Sequence, residues 1–118
     1  MRRAIGLLVI TGFMTGCAPS VNVAQEKEAL LRLDREWAST SKDPAKFLTY
    51  YAADATAYPQ GMPKVSGQAL KDSFTQMASR PGFALEFAPT KAEVSSSGDV
   101  GWTAGTYKMT MNGSTDTG

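Results

Sequence analysis

At Arg80-Pro81-Gly82 the spacing of apolar residues changes, and this change limits the folds open to the chain more than any other feature. Before it, apolar side chains recur every three to four residues, as on one face of a helix. After it they alternate, as along a strand with one buried face. A chain helical in its first part and extended in its second is expected to be α+β, with the helices packed on one face of a mainly antiparallel sheet. Its 118 residues suit one small domain with a single core.

The helical part divides in three. The spacing predicts a helix over residues 23–40, capped by Asn22, with Leu30, Leu33 and Trp37 facing inward. Glu28, Arg32, Arg35 and Glu36 make its solvated side, and Glu28 with Arg32 forms an i, i+4 pair of the favourable order. Asp43-Pro44 starts a second helix over 44–52, with Phe47, Leu48 and Tyr51 inward: Asp caps, and Pro at the first turn loses no needed hydrogen bond. A short strand at 55–58 and a loop holding Gly61 and Pro63 lead to a third helix over 68–79, capped near Ser66 or Gly67, with Leu70, Phe74 and Met77 on one face.

In the extended part, Phe83, Leu85 and Phe87 alternate with Ala84, Glu86 and Ala88. A polar strand over 90–96 then carries Ala92 and Val94 on one side. Ser97-Gly98-Asp99 is expected to turn the chain into a long strand over 100–111. One face of that strand reads Val100, Trp102, Ala104, Thr106; the other reads Gly101, Thr103, Gly105, Tyr107, Met109, Met111. Asn112-Gly113 is the strongest two-residue hairpin signal present.

The first residues carry a different message. Arg2 and Arg3, an apolar run over residues 4–14, and Gly16 before Cys17 have the layout of a secretory signal, and the run is too short for a typical membrane-spanning helix. Met14-Thr15-Gly16-Cys17 resembles the lipobox of bacterial lipoproteins, with Met14 standing where Leu is usual. That resemblance implies removal of residues 1–16, lipid on Cys17, a small and polar tether over 17–24, and a domain over 25–118. It places the protein in the cell envelope, held to the periplasmic side of a membrane or to the cell surface. Removal of both arginines turns the net charge from +1 to −1, ten basic residues against eleven acidic. No basic field is left for nucleic acid.

Three segments resemble a known family: Leu33-Asp34-Arg35-Glu36-Trp37, Tyr50-Tyr51-Ala52-Ala53-Asp54-Ala55-Thr56 and Val65-Ser66-Gly67-Gln68-Ala69-Leu70. In order and spacing they are similar to the SnoaL-like branch of the nuclear transport factor 2-like superfamily, related in fold to ketosteroid isomerase. The resemblance implies a cone: a curved sheet wrapped by three helices around an apolar pocket, with dimerisation through the sheet. It also implies at least one further long strand after Asn112-Gly113. On that expectation the chain is a truncated domain whose strand over 100–111 has an open edge and a half-covered apolar face, prone to instability and aggregation.

The isomerase chemistry does not carry over. Its catalytic Asp would fall at about Pro59, its oxyanion Tyr would lie on a first helix that offers Trp37 instead, and its second Asp belongs to a strand beyond Gly118. With no histidine and one cysteine, neither a Cys–His nor a Ser–His pair can form, no zinc set exists, and no cofactor is expected. Asp34 is the weak candidate for an acid–base role, since it lies beside the inward stripe and desolvation there would raise its pKa. Asp54 is expected to bond backbone amides at the turn into the first strand. The aromatic residues offer more. Trp37, Tyr58, Trp102 and Tyr107 are the expected ligand-binding residues, with indole N–H and phenol groups as polar handles in a cavity for a small apolar or aromatic molecule. The leading functional expectation is a lipid-anchored binding domain without assigned catalysis. The alternatives are a SnoaL-like isomerase, cyclase or hydratase that uses a pocket carboxylate, and a dimerisation module.

Overall fold

A computed structural model describes residues 19–118. The expected signal and Cys17 lie outside them. The described residues form an α+β domain in the order α1 (Val23–Ser39), α2 (Pro44–Phe47), a 3-10 turn (Leu48–Tyr50), β1 (Thr56–Ala57), β2 (Val65–Ser66), α3 (Gly67–Ala78), β3 (Ala84–Val94), β4 (Gly101–Met111) and β5 (Ser114–Thr117). β1 and β2 pair as a small antiparallel sheet, and β3, β4 and β5 form a second antiparallel sheet in that order.

α1 and α2 begin where their capping chemistry places them, whereas Ser66 before α3 makes no side-chain cap. The Asn22 side chain accepts a hydrogen bond from the Gln25 amide at 3.1 Å, and Asp43 accepts one from the Lys46 amide at 3.1 Å. These bonds satisfy amides left free in a first turn. Because α1 starts at Val23, the last two residues of the expected tether, Val23 and Ala24, are helical. α1 ends in a tightened turn: the Thr40 amide bonds the Trp37 carbonyl at 2.9 Å, and the Thr40 hydroxyl donates to the same oxygen at 2.7 Å. The second helix is shorter than expected. After Phe47 its hydrogen bonds contract to the 3-10 pattern, which brings Tyr51 into extended backbone.

The inward face of α1 differs from the expected one. Leu30, Leu31, Asp34, Trp37 and Ala38 are half-buried, whereas Leu33 is 49 % exposed. Leu30, Asp34 and Trp37 follow i, i+4, i+7, a stripe centred about 70° round the helix from Leu33. The packing of Leu30 against Gly101 and of Trp37 against Phe87 selects that stripe. On the outer side, Arg32 reaches forward to Glu36 at 4.0 Å and not back to Glu28.

The two expected strands over 83–88 and 90–96 are one strand. β3 runs through Pro89 with a bulge between Pro89 and Lys91, where Thr90 has no partner in β4. The extra residue restores the alternation, so Leu85, Phe87, Ala92 and Val94 all share the inner face despite their mixed parity. Opposite them on β4 stand Met109, Tyr107, Thr103 and Gly101. Glu86 faces Lys108 and Glu93 faces Trp102 on the outer face.

Beyond Met111 the expected open edge of the strand over 100–111 is partly closed. Asn112 (φ 52°) and Gly113 (φ 81°) make a two-residue turn with both central residues left-handed, and Ser114–Thr117 returns as β5 against Lys108–Met111. Tyr107 and Gly118 exchange two further backbone hydrogen bonds. The β5 side of β4 is unpaired only over residues 101–106 among the described residues.

Phe47, Leu70, Phe74, Pro89 and Ala92 are the buried apolar residues among those described. α1 lies on β3 and β4, while α3 packs on α2 and the small sheet. The two layers meet through aromatic rings. Phe47 stacks on Phe74 with centroids 4.4 Å apart and meets Phe87 edge-on at 6.1 Å. Each such pair contributes about 0.5–1.5 kcal/mol beyond the area it buries. The Asp54 carboxylate makes no hydrogen bond among the described residues. The turn there is held by the Ala55 amide on the Ala52 carbonyl and the Gly67 amide on the Ala55 carbonyl.

Candidate functional site

Between α1, the segment after α2 and the inner face of the sheet lies an open cleft of about 290 Å³. Asp34 and Trp37 supply one wall, Phe47 and Tyr51 a second, and Leu85, Phe87 and Tyr107 the sheet side. Thr103 and Gly105 belong to its floor. Along α1 the contact with the sheet changes in kind: Leu30 packs onto Gly101, where there is no side chain, while two turns farther on Trp37 meets the Phe87 ring.

Trp37 is central. Its ring lies 5.0 Å from Phe47, 5.0 Å from Phe87 and 5.4 Å from Tyr51, the last two edge-to-face. Its indole N–H donates to the Phe47 carbonyl at 3.1 Å. That bond orients the ring and leaves the expected polar handle already engaged. The Tyr107 hydroxyl donates to Asp116 Oδ2 at 2.7 Å, and this hydrogen bond, before any effect of burial, raises the pKa of the phenol. Burial alone raises that of Tyr51.

Among the described residues Asp34 is the only acidic one on the cleft wall, and no lysine or arginine joins it there. Its carboxylate stands without an ion-pair partner among the described residues, where the ion pairs join Lys27 and Lys91 to Glu93 and Arg32 to Glu36. The site therefore combines a ring-lined wall with one uncompensated negative charge.

The structure brings together only two of the four expected binding residues. Trp37 and Tyr107 line the cleft with Asp34. Tyr58 lies just after β1, 77 % exposed, in the loop that joins the two short strands. Trp102 sits on the outer face of the sheet, with Lys91 Nζ 5.3 Å from its ring centre. The parity of β4 separates Trp102 from Tyr107, as the two faces read from the sequence already required. Two participants escaped sequence reasoning. Gly105 is signalled by a small residue in the middle of an alternating strand, a mark of close backbone approach. Asp116 is signalled by Asn112-Gly113 itself, since a turn of that type serves a returning strand. No protein-family model matches the chain, and no curated protein is similar enough to it to be counted a relative.

Proposed function

We propose that this domain binds a small apolar or aromatic molecule in the cleft between α1 and the sheet, without assigned catalysis, and that it does so outside the cytoplasm, tethered by lipid on Cys17. The observation that carries the reading is the cleft itself: rings from four separate segments converge on a concave space near the lower end of the size range of small-molecule sites, roughly 300–1,000 Å³. The order of elements, with helices first and an antiparallel sheet after, is compatible with a nuclear transport factor 2-like cone of the SnoaL-like branch, and the three resembling segments support that membership.

Binding is tested by titrating the full chain with a panel of small aromatics while following the emission of Trp37, in a Trp102→Phe background that leaves one indole. Saturable quenching or a blue shift is expected, with protection of the cleft residues from amide exchange. A flat response across the panel would count against the reading. The anchor is tested separately: radiolabelled fatty acid should enter the protein in a bacterial host and be lost in Cys17→Ser.

A second reading has one observation in its favour. Asp34 lines the same cleft, where a carboxylate can take a proton from a bound substrate. Under that reading Asp34→Asn abolishes a turnover that the parent protein shows, whereas a pure binding domain shows none to lose.

A further inference from the structure

We propose that the molecule bound in the cleft is an organic cation, a quaternary or protonated amine carrying apolar substituents. The inference rests on the binding function just proposed and names its ligand class.

Two independent features point to a cation. The first is the charge of the wall. Asp34 lines the cleft without a countercharge among the described residues, and the lysines of the sheet, Lys91 and Lys108, lie on its opposite face beside Glu93 and Glu86. An anion entering the cleft would meet a carboxylate and no cation; an ammonium would supply the missing partner. The second is the direction of the polar groups. A carboxylate only accepts hydrogen bonds. Tyr107 already directs its proton to Asp116, so toward the cleft its oxygen accepts. Trp37 already directs its N–H to the Phe47 carbonyl. The indole and phenol donors that a carbonyl or carboxylate ligand would need are thus engaged elsewhere, leaving the hydroxyls of Tyr51 and Thr103 as the side-chain groups able to serve either way.

The ring faces complete the arrangement. Trp37 and Tyr51 stand edge-to-face at 85°, and Trp37 and Phe87 at 71°, so the wall offers surfaces in more than one plane. Electron-rich ring faces attract cations, tryptophan most strongly, and the attraction grows as water is excluded. A methylated ammonium satisfies both parts of the wall at once: its positive charge faces Asp34 and its methyl groups lie against the rings.

The test uses the full chain in the Trp102→Phe background and three probes of similar size: phenyltrimethylammonium, its uncharged isostere tert-butylbenzene, and benzoate. Dissociation constants are read from Trp37 emission for the parent and for Asp34→Asn. The expected result is saturable binding of the cation that Asp34→Asn weakens about tenfold, with the tert-butylbenzene affinity held within about twofold. Benzoate should not bind the parent. Asp34→Glu, which keeps the charge, should retain most of the cation affinity, and circular dichroism of each variant identifies any loss that is merely unfolding. Cation affinity unchanged in Asp34→Asn, or lowered no more than that of tert-butylbenzene, overturns the cation assignment and leaves the cleft as a site for neutral molecules. Benzoate binding as well as the cation does the same. If none of the three probes binds, the binding function falls and this inference with it.

Discussion

Replacement of Gly105 by alanine should destabilise this protein, although the same change within a strand ordinarily stabilises. Gly105 has no left-handed backbone to excuse it, so alanine would lower the entropy of the unfolded chain and favour folding by about 0.5–1 kcal/mol. The structure reverses the sign. A methyl group at Gly105 would press into the Ala88 carbonyl oxygen and come within 2.9 Å of both the Ala88 carbonyl carbon and Pro89 Cα. These are backbone atoms of the β3 bulge, and no side-chain rotation can relieve the overlap. Relief requires β3 and β4 to part at the Pro89–Gly105 pair, an overpacking cost of about 1–3 kcal/mol. The net loss is then about 0.5–2 kcal/mol, which for a domain of this size lowers Tm by roughly 3–15 °C. Thermal melts followed by circular dichroism measure it directly, with Gly101→Ala as the internal comparison. There the added methyl meets Leu30 Cδ1 at 2.7 Å, the movable tip of a side chain, so its Tm should fall by much less. A Gly105→Ala protein as stable as the parent, or a larger loss at Gly101 than at Gly105, would refute the bulge register and with it the floor of the cleft.

Phe47→Ala removes a ring that is 2 % exposed and joins α2, α3 and the sheet; urea unfolding should show a loss of about 3–5 kcal/mol with little change in slope. Glu93 bonds Lys27 at 2.6 Å, and that hydrogen bond, foremost among several effects, lowers its pKa below the ordinary 4.5. Its contribution is therefore present above pH 4.5 and lost as the pH falls through the depressed value, so the Tm gap between the parent and Glu93→Gln should close on acidification toward pH 3. Tyr107 behaves in the opposite sense. Its phenol is held protonated past the ordinary 10.0 by the bond to Asp116, so its support of the β4–β5 pair is complete below pH 10 and lost as the pH rises through the elevated value. Absorbance titration at alkaline pH should show two late-ionising tyrosines, Tyr51 and Tyr107, of which only one moves back toward the ordinary range in Asp116→Asn.

The element types were legible in the sequence because local chemistry sets them. Asn22 and Asp43 cap as their side chains allow, and the switch of period after Gly82 marks where the strands of the larger sheet begin. Choices made by tertiary packing were less legible. Leu30, Leu33 and Trp37 fit one helical face as well as Leu30, Asp34 and Trp37 do; only the presence of Gly101 and Phe87 opposite decides between them. A bulge hides in the same way. Pro89-Thr90 looks like a break between two strands, because parity alone cannot tell an interruption from one extra residue. Of the cleft, Trp37, Tyr107 and Asp34 could be named in advance from residue type. Tyr58 and Trp102 could not be distinguished from them by type, since an aromatic ring carries the same label on either face of a sheet.

β4 is two strands in kinetic terms. Its even-numbered amides point toward β3, while those of Tyr107, Met109 and Met111 point toward β5 and its continuation to Gly118. By the same parity the amides of Gly101, Thr103 and Gly105 point to the side where no described strand pairs. Their hydrogens should trade with solvent deuterium far faster than those of Tyr107 or Met109, only a few residues along the same chain. Thr103 and Gly105 are also the floor of the cleft. The site thus rests on the part of the strand whose clock runs fastest, and an occupant seated there would be recorded as a slowing of those two amides before any change in shape could be seen.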